Sequence, residues 1–116
     1  MEKEILKELP ACPVETTLTL ISDKWKVLIP RDLMPGTKRF GELKKSIGHV
    51  TQKVLTAQLR QMEESGLLTR KVYAEVPPRV EYTLTELGYS LKPVLDAMWA
   101  WGEGYKSRLE GKAESV

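Results

Sequence analysis

The sequence predicts a mainly α-helical domain with one small β-hairpin, arranged as a winged helix-turn-helix between N- and C-terminal helices suited to dimerisation. Three observations carry that prediction. Two helical segments, "RFGELKKSI" and "TQKVLTAQLRQM", are joined by a short turn containing glycine, "GHV", which is the spacing of a helix-turn-helix. The stretch "LLTRKVYAEVPPRVEYTLT" follows and alternates apolar with polar residues on both sides of a proline-bearing tip, as a hairpin does. A long helical segment then carries apolar residues at sustained 3–4 spacing, the pattern of a seam for another helix.

Size and composition narrow the field. The chain has 116 residues, enough for one domain over 1–116 with a modest core. Hydrophobic residues at 41% and charged residues at 29% argue against a wholly disordered chain. The apolar runs are far short of the roughly 20 residues that span a bilayer. The opening "MEKEILKELP" lacks the apolar centre of a signal peptide, so a cytoplasmic protein with no membrane partner is expected. Cys12 is the sole cysteine and His49 the sole histidine. An intrachain disulfide, a thiolate or His-based metal site and a Ser/His/Asp triad are therefore hard to build. No glycine-rich phosphate loop occurs, so no cofactor is expected and an enzyme is disfavoured. Nine basic and five acidic residues between Thr37 and Tyr82 give an excess of +4, while each flank comes to −1. A basic centre suits a polyanionic partner.

The elements follow in order. Residues 2–8 have helix formers and suggest a short, frayed helix, interrupted by "ACP". Pro13 suits the first turn of a helix reaching about Ile21. Ser22 and Asp23 can cap a helix beginning "KWKVLI", in which Pro30 removes an amide donor; a kink or early end is expected there. "MPGTKR" reads as a turn or loop. Phe40, Leu43 and Ile47 share one face of a short helix. Thr51 can cap the next, expected over 51–65, with Gly66 as its left-handed stop. Its spine is Val54, Leu55, Leu59 and Met62. In the wing, 68–84, the expectation is that Leu68, Val72, Val80, Tyr82 and Leu84 face inward and Arg70, Lys71, Arg79, Glu81 and Thr83 face out. A lone hairpin is unstable in water and must lean on those helices. One helix over 85–109, capped by Thr85 and bent at Pro93, is expected to close the fold. Its seam of Leu87, Leu91, Val94, Met98, Trp101 and Tyr105, widened by Leu95 and Trp99, exceeds what one small core can cover. A second copy is the expected partner.

With these elements in place the chain closely resembles the HxlR family of winged-helix transcriptional regulators. The matching stretches are "CPVETTLTLISDKWKVLI", "RFGELKKSI", "QKVLTAQLRQMEESGLLTRKVY", "EVPPRVEYTLTELGYSLKPVLDAM" and "WG", which cover residues 12–104 in unbroken order. The resemblance implies a cytoplasmic homodimer on double-stranded operator DNA, pairing through its terminal helices and touching DNA through helix 51–65 and the wing. Two departures stand out: Pro30 interrupts a helix that is usually aliphatic throughout, and "IGHV" replaces a loop more often written with Pro and Gly.

Candidate contacts divide by task. Phosphate contacts set register and base-edge contacts set sequence preference. Lys24, Lys26, Arg39 and Lys44 are phosphate candidates, as are the backbone amides at the helix start near Phe40. Thr51, Gln52, Lys53, Thr56 and Arg60 line the face that a recognition helix turns to the major groove, where Gln suits adenine and Arg or Lys suits guanine. Arg60 lies further along, and a phosphate contact or a pair with Glu64 are equal alternatives. Arg79 can enter a minor groove or bind its phosphates. Lys44 and Lys45 can equally be solvated, and Trp25, Trp99 and Trp101 read as packing residues. His49 reads as a turn residue. The resemblance gives Cys12 a further reading, since a cysteine before "PVE" senses oxidants or electrophiles in some members; the alternative is a small residue packed at a dimer interface. A two-fold dimer implies a pseudo-palindromic site. A winged-helix protein-interaction module that never meets DNA is the alternative class, disfavoured by Lys53, Arg60 and Arg79.

Overall fold

The computed structural model describes residues 2–114, and side chains through Gly111. Helices α1 (Glu2–Glu8) and α2 (Pro13–Leu20) lead into α3 (Trp25–Leu33). Strand β1 (Lys38–Arg39), helix α4 (Phe40–Ile47), helix α5 (Gln52–Glu64) and strands β2 (Leu68–Tyr73) and β3 (Arg79–Leu84) form the centre. Helices α6 (Glu86–Tyr89) and α7 (Lys92–Glu114) complete the chain. The architecture is mainly helical with a small antiparallel sheet. No described helix is long and apolar enough to cross a membrane.

Pro13 occupies the first turn of α2, with Cys12 as its N-cap residue in extended conformation. Asp23 Oδ1 accepts the backbone N–H of Lys26 at 3.1 Å, capping the start of α3. Pro30 does not end α3: the helix continues to Leu33 with Pro30 buried, and the Met34 amide still bonds to the Pro30 carbonyl at 3.0 Å. A proline removes only its own donor, and tertiary packing here holds the turn that follows.

The sheet has the order β1-β3-β2. Lys38 and Arg39 pair with Tyr82 and Glu81, so part of the expected "MPGTKR" loop is a third strand. Two residues have no readable period, and only the partner across the sheet defines them. In the hairpin, Leu68 pairs with Leu84, Arg70 with Tyr82 and Val72 with Val80. Side chains two apart share a face, so Arg70 stands on the inner face with Leu68, and not on the outer one. Val72 is on that face yet 55% exposed. The base of the hairpin leans on the helices, while its far half extends past them.

One core joins these parts. It contains Ile29 and Leu33 of α3, Leu43 and Ile47 of α4, and Leu55, Leu59 and Met62 of α5. Leu68, Tyr82 and Leu84 of the hairpin close it. Gly66 (φ +79°) ends α5. Its N–H bonds to the Glu63 carbonyl at 3.1 Å, and the Leu67 N–H to the Met62 carbonyl at 3.0 Å, the paired bonds of a left-handed stop. The hairpin is then tied at its base. The Thr85 amide bonds to the Leu67 carbonyl at 3.1 Å, and the Thr85 hydroxyl donates to the Gly66 carbonyl at 2.6 Å. That hydroxyl also accepts the Gly88 N–H at 3.1 Å. Gly88 is required by this crossing, because a Cβ there would stand 2.1 Å from the Leu67 carbonyl oxygen.

The single helix expected over 85–109 is two. Helix α6 ends at Tyr89 and α7 begins at Lys92, with Pro93 in its first turn. Proline has no N–H to bond back to Tyr89, whereas a first-turn position needs none; the chain breaks there instead of bending. The seam divides as well. Leu91 and Leu95 are buried in the chain's own core, and Val94, partly buried, packs against it, so the expected interface loses Leu91 and Leu95 to the domain itself. Met98, Trp99, Trp101, Tyr105 and Leu109 are 48–73% exposed. A radius of gyration of 17.1 Å exceeds the about 13 Å of a compact domain this long, because α7 projects outward.

Candidate DNA-binding surface

Helix α5 separates its two faces cleanly. Leu55, Leu59 and Met62 are buried; Gln52, Lys53, Thr56 and Arg60 are exposed. Thr51 Oγ1 accepts the Val54 N–H at 3.2 Å, fixing where the helix starts. The Thr56 hydroxyl donates to the Gln52 carbonyl at 2.7 Å, which leaves its oxygen as an acceptor toward solvent. Gln52 and Lys53 thus form an uncommitted polar row on the first turn. Arg60 makes no ion pair among the described residues, with Glu64 or otherwise. It lies with Thr56, Glu63, Arg70 and Tyr82 around a small cleft between α5 and the hairpin.

Arg39 is exposed at the start of α4. Its backbone N–H donates to Glu42 Oε1 at 2.8 Å, so a carboxylate already serves that end of the helix. Phe40 turns its ring toward Tyr82, with centroids 6.5 Å apart; only its backbone amide is available to an anion. Lys44 is partly exposed on the same helix. Between this helix start and the wing tip lies a cleft bordered by Arg39, Gly41, Pro77, Pro78 and Arg79.

Lys24 and Lys26 part company. Lys24 is exposed, its ammonium 4.5 Å from the centre of the Trp25 ring. Lys26 is buried, which corrects its place among the phosphate candidates. Its ammonium donates to Asp23 Oδ2 at 3.1 Å and to Gln58 Oε1 at 2.8 Å. Gln58 Nε2 donates to Asp23 Oδ2 at 3.2 Å. Burial works against the Asp23 carboxylate, but the backbone amide and ammonium of Lys26, with Gln58, outweigh it and hold its pKa below the ordinary 3.8. Gln58 drew no attention in the sequence, where it reads as one more polar residue of an exposed helix.

Arg79 also departs from expectation. Its guanidinium packs 3.9 Å from the centre of the Tyr73 ring. Nη2 lies 3.4 Å from Glu75 Oε1 and Nε 3.6 Å from Glu81 Oε2, too far for a hydrogen bond from Nε. The Tyr73 hydroxyl donates to Glu81 Oε1 at 2.9 Å. Arg79 is therefore folded onto the wing instead of reaching out from it, held between Glu75 four residues before it, Glu81 two residues along the same strand and the Tyr73 ring across the sheet. Arg70, read as solvent-facing, has Nε 3.5 Å from Glu63 Oε1 of α5. Cys12 is exposed at the head of α2, beside a face that leaves Val14 and Leu18 in solvent. His49 packs on Trp25, with ring centres 5.4 Å apart.

The arrangement is that of a helix-turn-helix with a wing, and similarity to known proteins carries it to a family. The family model for HxlR-like helix-turn-helix proteins matches residues 20–110. The chain belongs to that family. It is 48% identical to YdeP of Bacillus subtilis, an HTH-type transcriptional regulator, over 89% of this chain and 80% of that one. Among solved structures, the redox regulator HypR in its reduced form superposes with a TM-score of 0.79 at 44% identity, covering 86% of this chain and 99% of that one. A structure of the HTH-type transcriptional regulator YtcD gives a TM-score of 0.77 at 47% identity, over 83% of this chain and 98% of that one. These relatives are transcriptional regulators, not enzymes.

Proposed function

We propose that this HxlR-family chain is a cytoplasmic, sequence-specific DNA-binding regulator acting as a homodimer on a pseudo-palindromic operator. The observation that carries the reading is the exposed row Gln52, Lys53 and Thr56 on a helix whose other face buries Leu55, Leu59 and Met62. Such a helix has nothing of its own chain left to contact through that row. In the major groove Gln52 suits adenine and Lys53 guanine, with Thr56 accepting from a base or a bound water. Arg60 continues the row toward the phosphates. Arg39, Lys24 and Lys44 supply backbone contacts, with the amides at Phe40 and Gly41. The wing reaches the minor groove or its backbone once Arg79 exchanges Glu75 for a phosphate. The exposed Met98, Trp101 and Tyr105 of α7 join the partner's equivalents, with the exposed Ile5, Leu6, Val14 and Leu18 of α1 and α2 as further apolar cover.

The test is binding to a random duplex across a salt series, where affinity falls steeply through counterion release. An interaction module would instead show no binding at low salt. Within the regulator reading, Gln52→Ala relaxes base preference by about 1–3 kcal/mol at one position, whereas Arg39→Ala weakens every duplex alike. Uniform weakening by both would remove Gln52 from base reading. We further propose that Cys12 makes binding responsive to oxidants or electrophiles, supported by its exposed thiol and by the likeness to HypR, a redox regulator. Diamide or a quinone then lowers DNA binding of the native chain, and Cys12→Ser abolishes the response; native binding indifferent to both reagents ends the idea.

A further inference from the structure

Helix α5 is gripped on both sides of its apolar face. Gln58 and Glu63 are five residues apart, about 140° around a helix, and the buried Leu55, Leu59 and Met62 lie in the arc between them. Gln58 joins Lys26 and Asp23 at the head of α3. Glu63 meets Arg70 of β2. Apolar packing alone sets how deep a helix sits but only loosely sets its rotation, since side chains of similar volume accept small rolls. Directional bonds on the two flanks supply what packing lacks.

The flanks are unequal. The Arg70–Glu63 contact is 3.5 Å long between side chains 48% and 38% exposed, and pairs so placed contribute little. The Lys26 side chain is 11% exposed, and its ammonium has two acceptors at 3.1 and 2.8 Å. Releasing it from Gln58 leaves this nearly buried ammonium with Asp23 as its one acceptor, which the protein resists. The α3 flank therefore governs.

We propose that the Asp23–Lys26–Gln58 network sets the rotation of α5, so that Gln52, Lys53 and Thr56 meet base edges in one register. Lys26 and Gln58 are positioning residues, and no phosphate touches either. This rests on the DNA-reading role proposed for α5 and adds how its register is held. The network is read as a positioning device because its bonds run between elements: Gln58 is 32 residues from Lys26 and 35 from Asp23 in sequence.

The experiment first selects a preferred duplex from a randomised pool with the native protein, then compares affinity for that duplex with a scrambled one. Gln58→Met keeps volume and removes both bonds. The ratio of preferred to scrambled affinity is expected to fall by about tenfold or more, the loss of one good base contact, with affinity for the scrambled duplex and its salt slope unchanged. A Lys26→Met, Gln58→Met double variant also removes the under-bonded ammonium, while Asp23, its side chain 39% exposed, stays hydrated. It is expected to recover the native unfolding midpoint without recovering the ratio. A merely structural network would recover both together, which overturns the proposal, as does an unchanged ratio in Gln58→Met. If Gln58→Met alone fails to fold, the double variant carries the same decision. A native protein that binds no duplex at low salt overturns the DNA-reading role itself, a result distinct from binding that ignores position 58.

Discussion

Between Ile21 and Leu95 the chain buries apolar side chains from four helices and a hairpin against one another, and the buried Lys26 ammonium has two acceptors there. The termini are built from similar residues but treated differently. Helices α1 and α2 bury none of theirs, and α7 past Leu95 leaves Trp101 73% exposed and its ring stacked on Tyr105 at 5.6 Å. The centre has enough surfaces facing one another to satisfy itself. The ends present one apolar face each, and a single helix face with no opposite number is stable only against something else. Apolar content is thus a poor guide to the core; what counts is whether a second surface stands opposite.

The sharpest way to break this contrast is to shorten a side chain on each side of it. Leu55→Ala removes a residue with no exposed surface and should cost about 2–5 kcal/mol. Leu109→Ala, in protein dilute enough to be monomeric, should cost at most about 0.5 kcal/mol. Urea midpoints read both; equal losses would mean that the end of α7 is packed on its own domain. Next in size is Trp101→Glu. On the proposed homodimer it should sediment more slowly than the native chain at equal concentration, with a native-like circular dichroism spectrum. A native sedimentation coefficient would move the pairing surface away from Trp101. The smallest effect concerns acid. Asp23 titrates below its ordinary 3.8, so its contribution is present above that value and fades as pH falls through its folded pKa. Because its side chain is 39% exposed, the contribution is only a few tenths of a kcal/mol. Asp23→Asn should flatten the acid limb of stability below about pH 4 by that amount, as seen in urea midpoints against pH.

What could be read from the sequence tracks how local each signal is. The spine of α5, its Thr51 cap and its Gly66 stop are written within a few residues of one another, and all three stand where the sequence points. The hairpin and the amphipathic α4 are legible for the same reason. Strand β1, the buried Lys26 and the folded-back Arg79 are not, because each depends on a residue far along the chain or across the sheet. A lysine three residues after its capping Asp23 reads as solvated until Gln58 is known to stand opposite it. Leu91 and Leu95 mislead differently: 3–4 spacing reports an apolar stripe but not which surface covers it. The break before α7 was signalled by Pro93, read as a bend because proline position within a turn decides between the two.

The tie at Thr85 has a mechanical consequence. Gly66, Leu67, Thr85 and Gly88 meet at the root of the hairpin, and past the Val72–Val80 pair the tip faces α4 only across the open cleft beside Arg39 and Gly41. About three residues on each side of the tip extend past that pair, roughly 10 Å of chain, so the wing tip is a short lever fixed at one end. A tilt of about 5° at that pair carries the tip through only about 1 Å. The same tie fastens the wing to the end of α5 through Gly66 and Leu67, so a displacement of the tip is felt at the C-terminal turn of that helix.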